Sequence, residues 1–280
     1  GQGIRHSRES SASGVFALER TPAPTPVPTP TPLPTPPPAP AGYVWRDLLV
    51  VLDPGHGGRD PGTCTPDESV QEKEVTLDVA LRCQRLLLQQ GLPVMLTRTE
   101  DVALEESVNA DLAARSRLAN DADASLFVSV HVNSLDLREQ GAAAVFGLES
   151  YYRGKESPFD ALDDLWLATR VGENAAMRSG NKLLGVHKRS LAVLRETHMP
   201  AVLLEIGYLT NEEDAARLVS ETYRQQIAEG IAQGIQEAVT RLEPQENNGV
   251  LQILKKLPEP TAAATRSEER RVGKECRSRW

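Results

Sequence analysis

Eleven of the chain's 20 prolines lie between Pro22 and Pro40. Proline fixes φ and removes a backbone donor, so a packed domain cannot hold that density. The segment 21–40, TPAPTPVPTPTPLPTPPPAP, reads as a polyproline II spacer reaching roughly 60 Å at about 3.1 Å per residue. Residues 1–42 are therefore expected to be disordered tail and linker. From Pro244 the hydrophobic pattern decays, and Arg266 to Trp280 is a charged, aperiodic run. Residues 244–280 are expected to be a second disordered tail, non-native in origin from 266. The folding unit is then a single domain over 43–243, about 200 residues, a common domain size.

The charge balance narrows the partners. Lys plus Arg is 31 and Asp plus Glu is 39, a net of −8. The run from Arg266 holds six basic and three acidic residues, so the rest of the chain is at −11. A phosphate-backbone binder needs a basic face, and no nucleic acid partner is expected. No stretch approaches 18 apolar residues, so no membrane span is expected. The first ten residues are polar, without an apolar core of a signal peptide and without a Met, which suggests a cleaved or truncated start. Cys64, Cys83 and Cys276 are too few and too scattered for a disulfide framework.

Between the two tails the periodicity alternates. Asp47 to Asp53, Leu92 to Arg98, Ser125 to Val132, a piece of Ala142 to Tyr152, Leu191 to Leu194 and Ala201 to Ile206 read as strands. Glu72 to Gln90, Asn109 to Asp121, most of Phe159 to Ser179, Asn211 to Val219 and Glu221 to Leu242 read as helices. Strands alternating with helices predict an α/β domain, a mixed and mostly parallel sheet with helices on both faces. Ligands of such sheets sit at the carboxyl ends of the strands. The polar residues expected there are Asp53, His56, Arg98, His131, Asn133 and Glu205.

Each candidate also has an ordinary explanation. His56 sits in LDPGHGGRDPGT, where glycines leave room around one imidazole, but a tight turn with an incidental His reads the same way. His131, in VSVHVNS, alternates with valines, and a lone His there is as readily a satisfied core residue. Glu72 opens a helix whose inward face continues through Val79, Cys83 and Leu86; an acid in a first helical turn is also favourable in itself. Glu205 is the single carboxylate of the apolar run AVLLEIGYL. Burying it unpaired costs several kcal/mol, so it pairs with a buried Arg or serves chemistry near a cation. Two histidines and a glutamate as ligands, with a further carboxylate beside them, is a grammar of catalytic zinc.

At this point a family resemblance becomes visible. DPGHGGRDPGT, EKEVTL, LTR, ARSRLAN, FVSVHVNS, GLESYY, VLRETHMPAVLLEIGYLTN and IAEGIAQGI follow one another in this order. The chain resembles the zinc-dependent N-acetylmuramoyl-L-alanine amidases of the AmiA/AmiB/AmiC and CwlC type over about Leu48 to Leu242. The resemblance implies one Zn2+ held by His56, Glu72 and His131, with Glu205 as the catalytic carboxylate and Tyr208 where Phe is common. Asn133 and Glu149 fall in motifs that border the cleft, as substrate-binding or supporting residues. Arg98, Arg115 and Asn120 also match motif positions, where ion pairs and caps explain them equally well.

The implied reaction is hydrolysis of the amide between N-acetylmuramic acid and L-alanine, with peptidoglycan as partner, in wall remodelling or daughter-cell separation. That places the protein outside the cytoplasm, in the cell envelope or secreted, with its export signal or anchor missing from these residues. Some division-linked relatives carry a long insertion after this motif region that plugs the zinc site. Here 33 residues separate Tyr152 from Val186, enough for one ordinary helix, so an uncovered site, no activator protein and a monomer are expected. Two alternatives stay open at this stage: a non-catalytic wall-binding or regulatory module on the same scaffold, and a zinc peptidase or deacylase with another amide substrate. His187 and His198 are expected on a loop and before a strand, in solvated or packing roles.

Overall fold

The computed structural model describes residues 37–65 and 67–258. Most of the proline-rich segment, and the tail from 259 with Cys276, lie outside the described residues. Among the described residues, nine strands and six α-helices follow one another. They are β1 (Tyr43–Asp47), β2 (Val50–Pro54), α1 (Glu72–Gln89), β3 (Val94–Leu96), α2 (Val108–Asp121), β4 (Leu126–Asn133), β5 (Leu148–Tyr152) and α3 (Asp164–Ser179). Then come β6 (Leu183–Lys188), α4 (Ala192–Glu196), β7 (Ala201–Tyr208), α5 (Glu212–Val219), α6 (Glu221–Arg241), β8 (Gln245–Asn247) and β9 (Val250–Lys256).

The main sheet has six strands in the order β3-β2-β4-β7-β5-β6. Neighbours β3, β2, β4 and β7 are parallel, β5 runs antiparallel to β7, and β6 is parallel to β5. The expected α/β architecture, a mixed and mostly parallel sheet between helices, is what forms. Its two faces separate by residue parity. Val50, Leu52, Leu126, Val128, Val130, Val202 and Leu204 enter the main core with α1, α3 and α6. Val51, Phe127, Ala201 and Leu203 enter a second core with Ala119 of α2 and Val193 and Leu194 of α4. Period-2 alternation therefore also puts Asp53, Ser129, His131, Glu205, Glu149, Tyr151 and His187 on the α2/α4 face.

Helix starts follow the chemistry of their flanks. Ser107, Asp163, Asn211 and Ser220 each accept a hydrogen bond from a first-turn N–H of the helix that follows. Helix α1 has no side-chain cap at Gln71. Its first residue instead turns inward, and Glu72 is 3% exposed.

Four expectations need correction. The run Asp47–Asp53 is not one strand: β1 and β2 belong to different sheets, joined through Leu48 and Leu49. Leu191–Leu194 is not a strand either. Val193 and Leu194 are buried from one face of the short helix α4, whose consecutive apolar residues mimic a buried strand. His187 lies on β6 rather than on a loop. Finally, the chain is not irregular from 244 onwards. Strands β8 and β9 form a hairpin and β9 pairs antiparallel with β1, so the folded unit extends to Lys256. The hairpin loop is Asn248–Gly249, with φ of 53° and 80°. Two positive φ values in a two-residue loop match the turn that Asn-Gly favours.

Candidate metal centre and active site

The segment after β2 cannot be straight, because its residues must bring a side chain back over the sheet edge. His56 has φ 62°, a left-handed value uncommon outside glycine. Two glycines make the return possible. A Cβ on Gly55 would lie 2.4 Å from the His131 ring, and one on Gly62 would lie 2.4 Å from Glu72 Oε2 and 2.8 Å from the His56 ring. The bare backbone at these positions is what lets two imidazoles and a carboxylate share one small volume.

Two buried guanidinium groups hold that loop. Arg115 of α2 pairs with Asp53 at 2.8 Å and donates to the carbonyls of Pro54 and His56 at 2.8 and 2.7 Å. Arg98 donates to the carbonyls of Pro54, Gly55 and Lys73 at 3.0, 2.9 and 2.8 Å. Four of these carbonyl contacts fix the backbone from Pro54 to His56, and the fifth ties Arg98 to the start of α1. Asn120 has a separate role, bridging α2 to Glu196 O and His198 N-H.

Glu72 enters from the start of α1. Its Oε1 lies 3.2 Å from His56 Nε2 and 2.9 Å from His131 Nδ1. The N–H groups of Val132 and Thr63 donate to its two oxygens at 2.8 and 2.9 Å. Burial alone would push the Glu72 carboxyl up, but the two imidazoles outweigh it and hold the group well below the usual range. For His56, burial acts to lower the pKa, and the bonds to Glu72 and Asp60 override it, raising it to about 9. Asp60 Oδ2 sits 2.7 Å from His56 Nδ1, so that nitrogen is committed and Nε2 faces Glu72.

The donor atoms of His56, Glu72 and His131 all lie within 4.8 Å of one another. Two imidazoles and one carboxylate, each backed by a hydrogen bond from behind or a fixed backbone, are a donor set that fits a divalent metal. The three side chains are 24%, 4% and 15% exposed, so the group sits at the floor of an opening rather than sealed in the core.

Glu205 stands beside this group. It is the register partner of His131 across the β4–β7 pair. Its Oε2 is buried without a hydrogen-bond partner. Burial raises its carboxyl to about 7, with the nearby histidines opposing the shift and Glu72 adding to it. Among the described residues no arginine pairs with it, so none of them supplies the buried-Arg explanation for this residue.

Asn133 and Glu149 meet each other, at 3.0 Å. Glu149 also accepts from Tyr151 and Tyr208, at 2.9 and 2.5 Å, and its Oε1 lies 3.3 Å from His187 Nε2. It pairs directly with Glu205 across β5 and β7. Because β5 is antiparallel, a strand start rather than a strand end delivers Glu149 to the site. Sequence reasoning missed Asp60, Tyr151 and His187 as neighbours of the site. Asp60, four residues after a histidine in a glycine-rich turn, carried a usable signal; His187, in the weak strand LLGVHK, did not. Cys64 and Cys83 are free thiols, and neither joins the metal group. A cavity of about 920 Å3 lined by Trp166, Arg170 and Glu237 lies on the helices and includes none of these residues.

A His-Glu-His donor set beside a protonatable buried carboxylate, at one edge of an α/β sheet, is the equipment of a metal-dependent hydrolase. Comparison with known proteins makes the class specific. Residues 50–237 match the family model described as N-acetylmuramoyl-L-alanine amidase. The amidase CwlM of Bacillus licheniformis is 34% identical over 194 residues, 68% of each chain. The solved catalytic domain of CwlV, an N-acetylmuramoyl-L-alanine amidase from Bacillus (Paenibacillus) polymyxa, is 36% identical with a TM-score of 0.59, covering 69% of this chain and 98% of that one. AmiC of Escherichia coli O6:H1 is 28% identical over 227 residues, 68% of this chain and 52% of that protein, so this chain spans about half of that relative. The chain belongs to the N-acetylmuramoyl-L-alanine amidase family.

Proposed function

We propose that the protein hydrolyses the amide between the lactyl group of N-acetylmuramic acid and L-alanine in peptidoglycan, using one Zn2+ held by His56, Glu72 and His131. The observation that carries this reading is Glu205. A carboxyl whose buried Oε2 lacks a partner, raised to about 7 and in register with His131, is poised to take and return a proton. Bound zinc would supply Lewis acidity to the amide carbonyl and lower the pKa of water. The ionised Glu205 accepts the proton of the attacking water as the new C–O bond forms. The same proton then passes to the amide nitrogen as the C–N bond breaks, leaving a carboxylic acid and the L-alanine amine. Asp60 and the N–H groups of Thr63 and Val132 keep His56 and Glu72 from turning away during this cycle.

The site needs no activator in this reading. Among the described residues α3 is the one helix between β5 and β6, and it packs against α6, β5 and β7 rather than over the metal group. The match to AmiC extends over 227 residues where the CwlM match takes 194 for the same share of this chain, so the longer relative carries extra residues within the matched region. The substrate places the protein on the outer side of the cytoplasmic membrane, acting as a monomer on the wall. Among the described residues no helix is long and apolar enough to cross a membrane.

The test is digestion of purified muropeptides followed by mass spectrometry, with chelator and with zinc restored. Stem peptide with a free L-alanine amine should appear, vanish with chelator and return with zinc, without any added protein. Unchanged muropeptides under all conditions would favour a non-catalytic wall-binding module. Cleavage elsewhere in the stem would favour a peptidase.

A further inference from the structure

The α2/α4 face of the main sheet is covered unevenly. Helices α2 and α4 pack over its centre through Val193, Leu194 and Ala119, while α3 takes the opposite face of β5 and β6. Ser150, which points to that opposite face, is fully buried and bonded to Ala168 of α3. The residues on either side of it in β5, Glu149 and Tyr151, are half-buried, as is His187 on β6. Tyr151 packs in part against the second core, but among the described residues no helix packs on this face of β5 and β6 as extensively as α3 does on the other. The floor that carries His131 and Glu205 therefore continues, open, across two further strands.

That extension is built rather than incidental. Tyr151 and His187 are register partners, and their rings lie 5.7 Å apart at 38°. Glu149 fixes both, through the Tyr151 hydroxyl and the His187 imidazole. Its other oxygen contacts are Asn133 and the buried Tyr208. A carboxylate with this many donors has little capacity left for a ligand, and the Asn133 side chain is likewise used on both ends, by Glu149 and by Ser134 N–H. The groups still free to meet a ligand are the ring faces, the hydroxyl lone pair of Tyr151 and the second nitrogen of His187.

Direction follows from the chemistry proposed above, on which this inference rests. Glu205 delivers a proton to the leaving nitrogen, so that nitrogen lies on the Glu205 side of the metal group. What is attached to it continues away from His131, across β7 and onto β5 and β6. We infer that Tyr151 and His187 form the leaving-group subsite, a floor for the peptide that begins with L-alanine, and that Glu149 is its positioning residue. The sugar side of the scissile amide falls on the opposite side, toward the His56 loop. The ring pair offers an apolar surface to aliphatic side chains and polar edges to an extended peptide backbone, with Lys188 and Arg189 exposed at the end of β6 toward carboxylate-bearing residues.

The experiment compares steady-state kinetics on two substrates: a muropeptide with a full tetrapeptide stem, and one trimmed to N-acetylmuramoyl-L-alanine with a single further residue. Tyr151→Ala and His187→Ala should raise KM by about tenfold for the long stem but by no more than about threefold for the trimmed substrate, with kcat within about twofold on the long stem. Tyr151→Phe should restore most of the KM, because the ring is retained. Glu149→Gln, read on the same two substrates, should show a weaker form of the same split. Zinc content and melting temperature are measured alongside, so that a misfolded variant is recognised and His187→Gln is used in its place. Equal effects on both substrates, no effect on either, or an effect that follows glycan length would each overturn the inference. If the unmodified protein cleaves neither substrate, it is the amidase reading that fails, and the two failures are told apart.

Discussion

A carboxylate in the middle of an apolar strand lowers the stability of a fold unless something meets it, and Glu205 meets no cation among the described side chains. Its folded-state carboxyl is raised by burial from 4.5 to about 7. Between those values the folded state keeps a proton that the unfolded chain has lost, so stability falls as pH rises through this window and the full penalty is present above pH 7. One edge of the group faces the cleft, which limits the penalty to about 1–3 kcal/mol. Glu205→Gln should therefore stabilise the metal-free protein at pH 7.5 by a few degrees in Tm while abolishing turnover, and the gain should vanish below pH 4.5. Thermal melts of both proteins in chelator from pH 4 to 8 check this. A Gln variant less stable than the parent at pH 7.5 would refute the account of Glu205 as a strained functional group. The same residue was the most legible one in the sequence, because a lone charge in AVLLEIGYL contradicts its surroundings. His187 contradicted nothing around it, and reads as a loop residue in a solvated or packing role although it lies on β6.

Elements position these residues through buried ion pairs as much as through packing. Asp53 at the end of β2 is fully buried, and burial would raise its carboxyl; Arg115, Thr97 and Ser129 outweigh this and hold it below the ordinary range. A depressed carboxyl contributes stability above its unfolded value that is lost as pH falls through the folded one. Asp53→Asn should therefore unfold at a less extreme acid pH than does the parent loop contact, and far-UV circular dichroism along an acid titration reads the difference. Removing the other partner is harsher: Arg115→Ala leaves Asp53 buried without its cation, frees the carbonyl of His56 and leaves that of Pro54 to Arg98 alone, at a cost of about 3–5 kcal/mol. If both variants titrate like the parent, the pair does not hold the loop. At this scale the parallel strands β2, β3, β4 and β7 and the long helices were legible, since their periodicity is set by burial on one or both faces, whereas the half-buried β6 did not read as a strand. Helix α4 was not, because five residues hold too little periodicity to separate a buried turn from a buried strand. The reversal of β5 was not either, since pairing direction leaves no mark in a strand of five residues. That reversal is what carries Glu149 to the site.

The whole molecule is larger than the region that marks its family. The matched residues are 50–237, yet β1 and the β8–β9 hairpin lie outside them and form a three-stranded sheet of their own. That sheet joins the two ends of the folded unit. Ile253 of β9 is 1% exposed and Leu48, just after β1, is 2% exposed, both within the main core. Leu48 N–H donates to Leu251 O, Leu257 N–H to Gly42 O and Lys256 N–H to Pro158 O, while Arg46 and Lys255 both reach Asp123 at the end of α2. The polar strand Gln245–Asn247 hid this hairpin, although Asn248–Gly249 was its turn signal. Deleting 243–280 would remove the partner of β1, bare Leu48 and lose Ile253. A fully buried Ile alone contributes about 1.5–3 kcal/mol, and the lost strand pairing adds to it. The truncated protein should melt several degrees lower, with β1 newly open to protease. None of the metal group or Glu205 lies in this sheet, so zinc content and turnover per folded molecule should be retained at low temperature. Deleting 259–280 instead, which leaves β9 whole, is the control and should change neither quantity. Equal melting temperatures for the two truncations would mean that the terminal sheet is not a clasp on the catalytic domain.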